Sequence, residues 1–163
     1  MTHQIIDNFL PEDCFKELQN YIVWNNSFPW YLHTKISGVE EEVGVFYGTH
    51  KAYDNCSPLS SLYHTMIPII SGLPDFRALI RIKANFYPKT HEIYEHGRHF
   101  DYSFKQKGAI LSLNTCDGFT RLEDGTKVDS VENRLLLFDS SKIHNSSTTT
   151  NKRGRFNINI NYL

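Results

Sequence analysis

The stretch 76-FRALIRIKANFYP-88 decides the fold class, because it opens a series of short segments rich in β-branched and aromatic residues. Similar segments follow, separated by turn-forming residues: 108-GAILSLNT-115, 118-GFTRLEDGTKVDSV-131, 133-NRLLLFDS-140 and 155-RFNININYL-163. Within the second of these, Asp124 and Gly125 predict a hairpin turn. Strands at this spacing predict an antiparallel sandwich or barrel.

The first 75 residues predict helices and loops. Pro11 stands near a helix start, and Phe15, Leu18 and Ile22 follow at helical spacing. A second apolar stripe predicts another helix, which Pro68 must kink or begin; it consists of Leu59, Leu62, Met66, Ile69 and Leu73. Residues 25–58 predict loop or short strand. We expect both helices to pack on one face of the sheet.

Composition places the chain among ordinary globular proteins. Its 163 residues suit one domain, and a formal net charge of −1 gives no reason to expect nucleic acid or an anionic membrane as a partner. No apolar run is long enough to span a bilayer, and the first residues lack the pattern of a signal peptide. Cys14, Cys56 and Cys116 form no CxxC pair, so we expect free, buried thiols and a cytoplasmic protein.

Three residues could share one metal ion. His99 and Asp101 have His-x-Asp spacing, which directs both side chains to the same side of an extended chain. The triplet alone is a weak motif, and on its own a polar surface loop is the better explanation of it. His144 follows the strand-like segment 133–140 as a third candidate. Two histidines and a carboxylate form the facial triad that leaves positions on Fe(II) open for O2 and a 2-oxo acid.

The segment that follows His144 offers an anchor for an anionic co-substrate. Arg155 begins a predicted strand, and a guanidinium there can bind a carboxylate in two-pronged fashion. Asn157 points to the same side and could donate another hydrogen bond.

Together these elements resemble the Fe(II)- and 2-oxoglutarate-dependent oxygenases, in their prolyl-4-hydroxylase-like branch. The resemblance covers most of 81–163 in the order KANFYP, HFD, GAILSLNT, GFTRLEDGTKV, FDSSKIH and RFNINI, and the N-terminal phrase DNFLPEDCFKEL adds to it. It implies a double-stranded β-helix (jelly-roll, cupin-like) core in a mainly β protein of the α+β class. It also implies one oxygenase domain over 1–163, with helical support and loops in 1–75 and the core in 76–163.

The resemblance assigns roles to individual residues. It implies that His99, Asp101 and His144 bind iron, that Arg155 binds the 5-carboxylate of 2-oxoglutarate, and that Tyr87 assists there. The implied reaction uses O2 and 2-oxoglutarate to hydroxylate a C–H bond of a small-molecule or peptide substrate, releasing succinate and CO2. Collagen-type prolyl 4-hydroxylases have lysine where this chain has Arg155, so their substrate cannot be transferred.

Some alternatives stay open. Arg153 competes with Arg155 as the anchor, although Gly154 separates it from the strand. Tyr87 could serve packing alone. A non-catalytic jelly-roll module with an incidental or structural metal site is the rival function.

Two further groups of residues attract attention. His91 and His96 lack a carboxylate two residues on, and we expect them to be exposed or at the mouth of the pocket. Several aromatic residues could cover a substrate or pack the helices on the sheet: Trp24, Phe28, Trp30, Tyr31, Phe46, Tyr47 and Tyr53.

Overall fold

A computed structural model of the chain describes residues 3–36, 39–40 and 46–163. The strands are β1 (His3–Ile6), β2 (Tyr31–His33), β3 (Lys35–Ile36), β4 (Val39–Glu40), β5 (Tyr47–Asp54), β6 (Ser57–Pro58), β7 (Leu79–Pro88), β8 (Lys107–Ser112), β9 (Phe119–Arg121), β10 (Lys127–Asp129), β11 (Leu135–Asp139), β12 (Asn145–Ser146) and β13 (Gly154–Tyr162). The helices are α1 (Glu12–Gln19), which continues as a π-helical turn over Asn20–Trp24, and α2 (Leu62–Ser71).

Two antiparallel sheets build the body of the protein. The large sheet has the strand order β1-β11-β8-β13-β7-β5-β2, with β6 paired to β5, and the small sheet has the order β10-β9-β12. The strands β3 and β4 pair separately. The predicted hairpin forms between β9 and β10, where Gly125 adopts a φ of 87°. The prediction of a mainly β protein is confirmed, and the sheets are consistent with a jelly roll.

Alternation along the strands of the large sheet separates an apolar face from a polar one. The apolar face contributes Ile82, Ala84, Ile158 and Ile160 to the main core. The intervening residues of β7 and β13 lie on the opposite face: Arg81, Lys83, Asn85, Tyr87, Arg155, Asn157, Asn159 and Asn161. Because the face opposite the main core carries so many buried polar side chains, it indicates a binding cavity.

The helices contribute their apolar residues to the same main core. Helix α1 begins directly after Pro11 and contributes Phe15 and Leu18, and the π-helical turn contributes Ile22. Helix α2 contains Pro68 and contributes Met66 and other apolar residues. Of the predicted second stripe, Leu59 lies before the helix and is exposed.

The N-terminal part supplies more sheet than the sequence predicts. Strand β1 pairs with β11, and the eight-residue strand β5 pairs with β7 inside the large sheet. The sequence of β5 lacks clear alternation because both of its faces are largely covered. Gly48 allows a close approach there, since a Cβ at this position would lie 3.2 Å from the Phe86 ring.

The three cysteines are free, as expected, but the prediction of buried thiols is wrong for Cys14 and Cys56, which are exposed; only Cys116 is buried. Cys14 lies on the solvent side of α1, and Cys56 lies in the turn between β5 and β6. Over the described residues, none of the helices has the length and apolar character required to cross a membrane.

Candidate active site

Three side chains that are distant in sequence meet between the large and the small sheet: those of His99, Asp101 and His144. Each offers one ligand atom, and these atoms lie within 4.8 Å of one another. The two histidines face each other across an antiparallel bridge. His99 N donates to His144 O at 2.9 Å, and His144 N donates to His99 O at 2.8 Å. The structure thus brings together the three residues that the sequence groups.

Hydrogen bonds orient both imidazole rings. His99 Nδ1 lies 3.0 Å from Gly97 O, and His144 Nδ1 lies 2.9 Å from Lys142 O. A carbonyl oxygen can only accept, so each Nδ1 carries the proton and donates, which leaves the lone pair on Nε2. Backbone partners of this kind fix the tautomer of metal-binding histidines.

The protonation states suit a metal site. Burial, followed by the proximity of His144, lowers the pKa of His99 to about 4, so this ring is neutral at physiological pH. Burial alone would raise the pKa of Asp101. Electrostatic interactions, first with Arg81 and then with His144, and a hydrogen bond from Asn161 outweigh it and hold that pKa well below its usual range. The neutral imidazole of His99 and the ionised carboxylate of Asp101 are the forms that coordinate metal.

A shell of hydrogen bonds holds the Asp101 carboxylate. Arg81 Nη2 donates to Oδ1 at 2.9 Å, Asn161 Nδ2 donates to Oδ2 at 2.9 Å, and Asn159 Nδ2 donates to Oδ2 at 3.3 Å. Arg81 is itself held, because its Nε donates to Asn161 Oδ1 at 3.1 Å. Strands β7 and β13 carry these donors and therefore hold the Asp101 carboxylate in position.

Arg155 is a buried cation with spare hydrogen-bond donors. Only 1% of it is exposed. Its Nη1 donates to Phe119 O at 2.6 Å and to Ser147 O at 3.2 Å, and its Nη2 donates to Thr120 Oγ1 at 2.8 Å. Its Nε has no hydrogen-bond partner within the described part of the chain, and none of the three acceptors is a carboxylate. The competing Arg153 lies in the turn before β13 and is exposed.

The other two predicted site residues also lie in this region. Tyr87 is buried, stacks on Tyr47 with ring centroids 6.0 Å apart, and lies under the Arg155 guanidinium at 5.6 Å. Asn157 is buried and accepts a hydrogen bond from Asn85 Nδ2 at 2.9 Å. Tyr87, Asn157 and Thr120 line one cavity together with the three candidate metal ligands.

His96 differs from its prediction, since it is 2% exposed and not at the mouth of the pocket. Its ring packs on Tyr87 at 5.0 Å, and Nδ1 lies 2.9 Å from Ser146 Oγ. Burial, followed by the charge of Arg155, lowers the pKa of His96 to about 4. A neutral histidine is therefore buried against Tyr87, whereas His91 is exposed as predicted.

The cavity contains residues that the sequence analysis does not single out. Lys83, Asn85, Ile110, Thr120, Ser146 and Asn159 line it. The signal that identifies several of them is polar alternation, because Arg81-x-Lys83-x-Asn85 and Asn157-x-Asn159 repeat with the period of a strand.

The aromatic residues divide into two groups. Phe28 is buried in the main core, Trp30 packs against it, and Tyr53 stacks on Tyr63, so these residues pack the fold. Of the remainder, Tyr47 lines the cavity, whereas Trp24 and Tyr31 are exposed by 65% and 62%. Of the seven aromatic residues, only Tyr47 lines the cavity, so only Tyr47 is in a position to cover a bound substrate.

No protein-family model matches the sequence, and no curated protein is similar to it in sequence. Solved structures do share its fold. A prolyl-4-hydroxylase from Pseudomonas putida is 16% identical with a TM-score of 0.63, over 98% of this chain and 91% of that chain. A prolyl hydroxylase from Trichoplax adhaerens, in complex with a peptide fragment of the hypoxia inducible factor oxygen degradation domain, is 20% identical. Its TM-score is 0.67, over 99% of this chain and 83% of that chain.

A third structure is the epimerase SnoN in complex with Fe3+, alpha ketoglutarate and nogalamycin RO. It is 8% identical with a TM-score of 0.69, over 99% of this chain and 78% of that chain. At these identities the likeness concerns the fold, which is that of the prolyl hydroxylases and related iron- and 2-oxoglutarate-dependent oxygenases.

Proposed function

We propose that this chain is an Fe(II)- and 2-oxoglutarate-dependent dioxygenase that uses O2 to hydroxylate a C–H bond of a small-molecule or peptide substrate, with release of succinate and CO2. Proteins of the same fold are found with both kinds of molecule, since the Trichoplax enzyme is bound to a peptide and SnoN to nogalamycin RO. SnoN also contains iron and alpha ketoglutarate.

The three clustered side chains fit iron. His99 and His144 would each present the Nε2 lone pair that their Nδ1 hydrogen bonds leave free, and Asp101 would present its carboxylate. Two imidazoles and one carboxylate are a donor set typical of non-haem Fe(II), which leaves positions open for other ligands. Iron held in this way supplies the redox chemistry by which O2 is used to oxidise 2-oxoglutarate and a C–H bond.

The residues around Arg155 fit the distal carboxylate of 2-oxoglutarate. A carboxylate beside the guanidinium would satisfy Nε and neutralise a charge that is otherwise buried among neutral partners. Tyr87 and Thr120 lie next to Arg155 and line the cavity, so they would contact the same carboxylate. Asn157 would fix the wall along the co-substrate through its bond with Asn85.

A single observation carries this proposal over that of a binding module with a structural metal. The buried guanidinium contacts Thr120 and Tyr87, which line the same cavity as the His-Asp-His cluster, and it has no carboxylate among its hydrogen-bond partners in the described residues. A structural metal site needs no cation of this kind, whereas an enzyme that binds a dicarboxylic co-substrate does.

We further propose that residues 1–163 form one oxygenase domain. Residues 76–163 would supply the β-helix core, and the two helices of residues 1–75 would pack on one sheet as its support. The exposed thiols of Cys14 and Cys56 suit a reducing compartment such as the cytoplasm.

Binding of N-oxalylglycine, an analogue of 2-oxoglutarate, tests the proposal directly. The protein is loaded with Mn(II) and titrated by calorimetry, and Arg155→Met is compared with Arg153→Met. Because Arg155 would make charge-assisted hydrogen bonds to the ligand, its loss is expected to weaken binding by about ten- to a hundredfold. The exposed Arg153 serves as the matched control and should show no change. Absence of binding to the unaltered protein, or equal effects of the two substitutions, would refute the proposal.

A further inference from the structure

Lys83 is a cation that lines the cavity and has no role in the reaction proposed above. It lies in β7 on the same face as Tyr87, is partly buried, and lines the cavity together with His99 and Asp101. Within the described part of the chain, no hydrogen bond or ion pair engages its ammonium group. Burial, followed by the charge of Arg81, lowers the pKa of Lys83 to about 8, so the group remains mainly charged at neutral pH.

The cations nearest to Lys83 already have anionic partners. Arg81 pairs with Asp101 at 2.9 Å, and Lys51, which lies opposite Lys83 in the register of β5 and β7, pairs with Asp54 at 2.7 Å. Among the residues that the structure describes, no carboxylate is therefore in direct contact with the Lys83 ammonium group. Withdrawing an ammonium group from water without a partner is costly, and an anionic ligand would offset that cost.

A buried acceptor lies beside Lys83. Asn159 occupies the position opposite Lys83 in the register of β13 and β7 and lines the same cavity. Its Nδ2 donates to Asp101 Oδ2 at 3.3 Å, and because a carboxylate oxygen only accepts, this bond fixes the orientation of the amide. Asn159 Oδ1 is buried and has no donor among the residues that the structure describes.

We propose that Lys83 binds a carboxylate of the primary substrate, while Asn159 Oδ1 accepts a hydrogen bond from an amino or hydroxyl group of the same molecule. The primary substrate would then be a small amino or hydroxy carboxylic acid. One lysine suits a single carboxylate, whereas a phosphate group is usually bound by several cations or backbone amides. This inference rests on the proposed function, because it assumes that Arg155 and the metal take the co-substrate.

Calorimetry on the protein loaded with Mn(II) and N-oxalylglycine tests the inference. The probes are the common L-amino acids and their 2-hydroxy analogues, each paired with its carboxamide, which keeps the shape and removes the charge. We expect at least one acid to bind about ten- to a hundredfold more tightly than its carboxamide. Lys83→Met should remove this preference and Lys83→Arg should retain it. Lys51→Met, which removes a nearby but paired cation, is the matched control and should retain it too.

Several results would overturn the inference. These are the absence of binding by every acid, equal binding of acid and carboxamide, and a preference that survives in Lys83→Met. A tenfold loss of N-oxalylglycine affinity in Lys83→Met would instead assign Lys83 to the co-substrate. If N-oxalylglycine does not bind the unaltered protein, the proposed function itself fails, and this inference falls with it. The comparison of acid with carboxamide on the unaltered protein keeps the test decisive even if Lys83→Met does not fold.

Discussion

Gly118 allows Arg155 to lie where it does, and Gly118→Ala should displace the guanidinium. A Cβ at this position would lie 2.6 Å from Thr148 O and 2.8 Å from Arg155 Cδ. Neither atom is the free end of a flexible side chain. The Thr148 backbone is held by its N–H, which donates to Tyr94 O at 2.9 Å, and Arg155 is fixed by the strand and three hydrogen bonds.

Overpacking of this kind costs about 1–3 kcal/mol in free energy of unfolding. Displacement of the guanidinium should also remove charge-assisted bonds to 2-oxoglutarate, which would weaken its binding by about ten- to a hundredfold. Gly125→Ala is the matched control. Its φ of 87° places a new side chain in the left-handed region, at a cost of about 1–2 kcal/mol, but no atom lies within 4 Å of the added Cβ.

Urea denaturation and calorimetry with N-oxalylglycine and Mn(II) measure the two effects separately. Both variants should lose stability, but only Gly118→Ala should lose affinity for the analogue. If Gly118→Ala binds N-oxalylglycine as tightly as the unaltered protein, Arg155 is not held in a binding position by this contact. If Gly125→Ala loses affinity equally, the loss reflects general destabilisation and not displacement of Arg155.

Three other measurements probe the site and the fold. Arg81→Met removes the ion pair to Asp101, so Mn(II) affinity measured by calorimetry should fall by about ten- to a hundredfold; unchanged affinity would show that the pair does not position the carboxylate. Burial lowers the pKa of His96 from 6.5 to about 4 on folding. As the pH falls, the His96 ring is therefore protonated in the unfolded chain before it is protonated in the folded protein. The free energy of unfolding in the presence of a chelator should therefore decrease as the pH falls from 6.5 to about 4, by about 1.4 kcal/mol per pH unit for this group, and an unchanged slope in His96→Gln would contradict its role. Asn133→Ala removes hydrogen bonds of 2.9 and 2.8 Å to the backbone of Leu10 and should cost about 2 kcal/mol in urea denaturation, whereas a loss below the measurement error would show that these bonds are dispensable.

Local geometry in the sequence predicts part of the candidate site. His99 and Asp101 are two residues apart in an extended segment, so their side chains converge wherever that segment lies. Arg155 and Asn157 share a face of β13 for the same reason. The motif order that carries the family resemblance then predicts the approach of His144, which local spacing cannot predict.

Long-range partners explain what the sequence does not predict. His96 is buried because Ser146, fifty residues away, accepts or donates a hydrogen bond at its Nδ1, and Tyr87 covers its ring. A polar residue of this kind looks exposed when its partner is unknown. Residues 25–58 predict loop or short strand, but the eight-residue length of β5 is not predicted, because it depends on pairing with β7 rather than on alternation in its own sequence.

The charged residues of β7 show the same limit. Alternation puts Arg81 and Lys83 on one face, but it cannot show that Arg81 pairs with Asp101 while Lys83 has no anionic partner among the residues that the structure describes. That difference depends on how the strands are arranged in the folded protein. It decides whether Arg81 or Lys83 is available to bind an anionic ligand.

Succinate formation is the most direct test of the proposed oxygenase reaction. The protein is purified without oxygen, loaded with Fe(II), and given O2 and 2-oxoglutarate, and succinate is measured against His99→Ala, which lacks one of the three clustered ligand atoms. We expect that the unaltered protein forms succinate and that His99→Ala forms none above the level of free Fe(II). Equal succinate formation by the two proteins, or none by either, would contradict it.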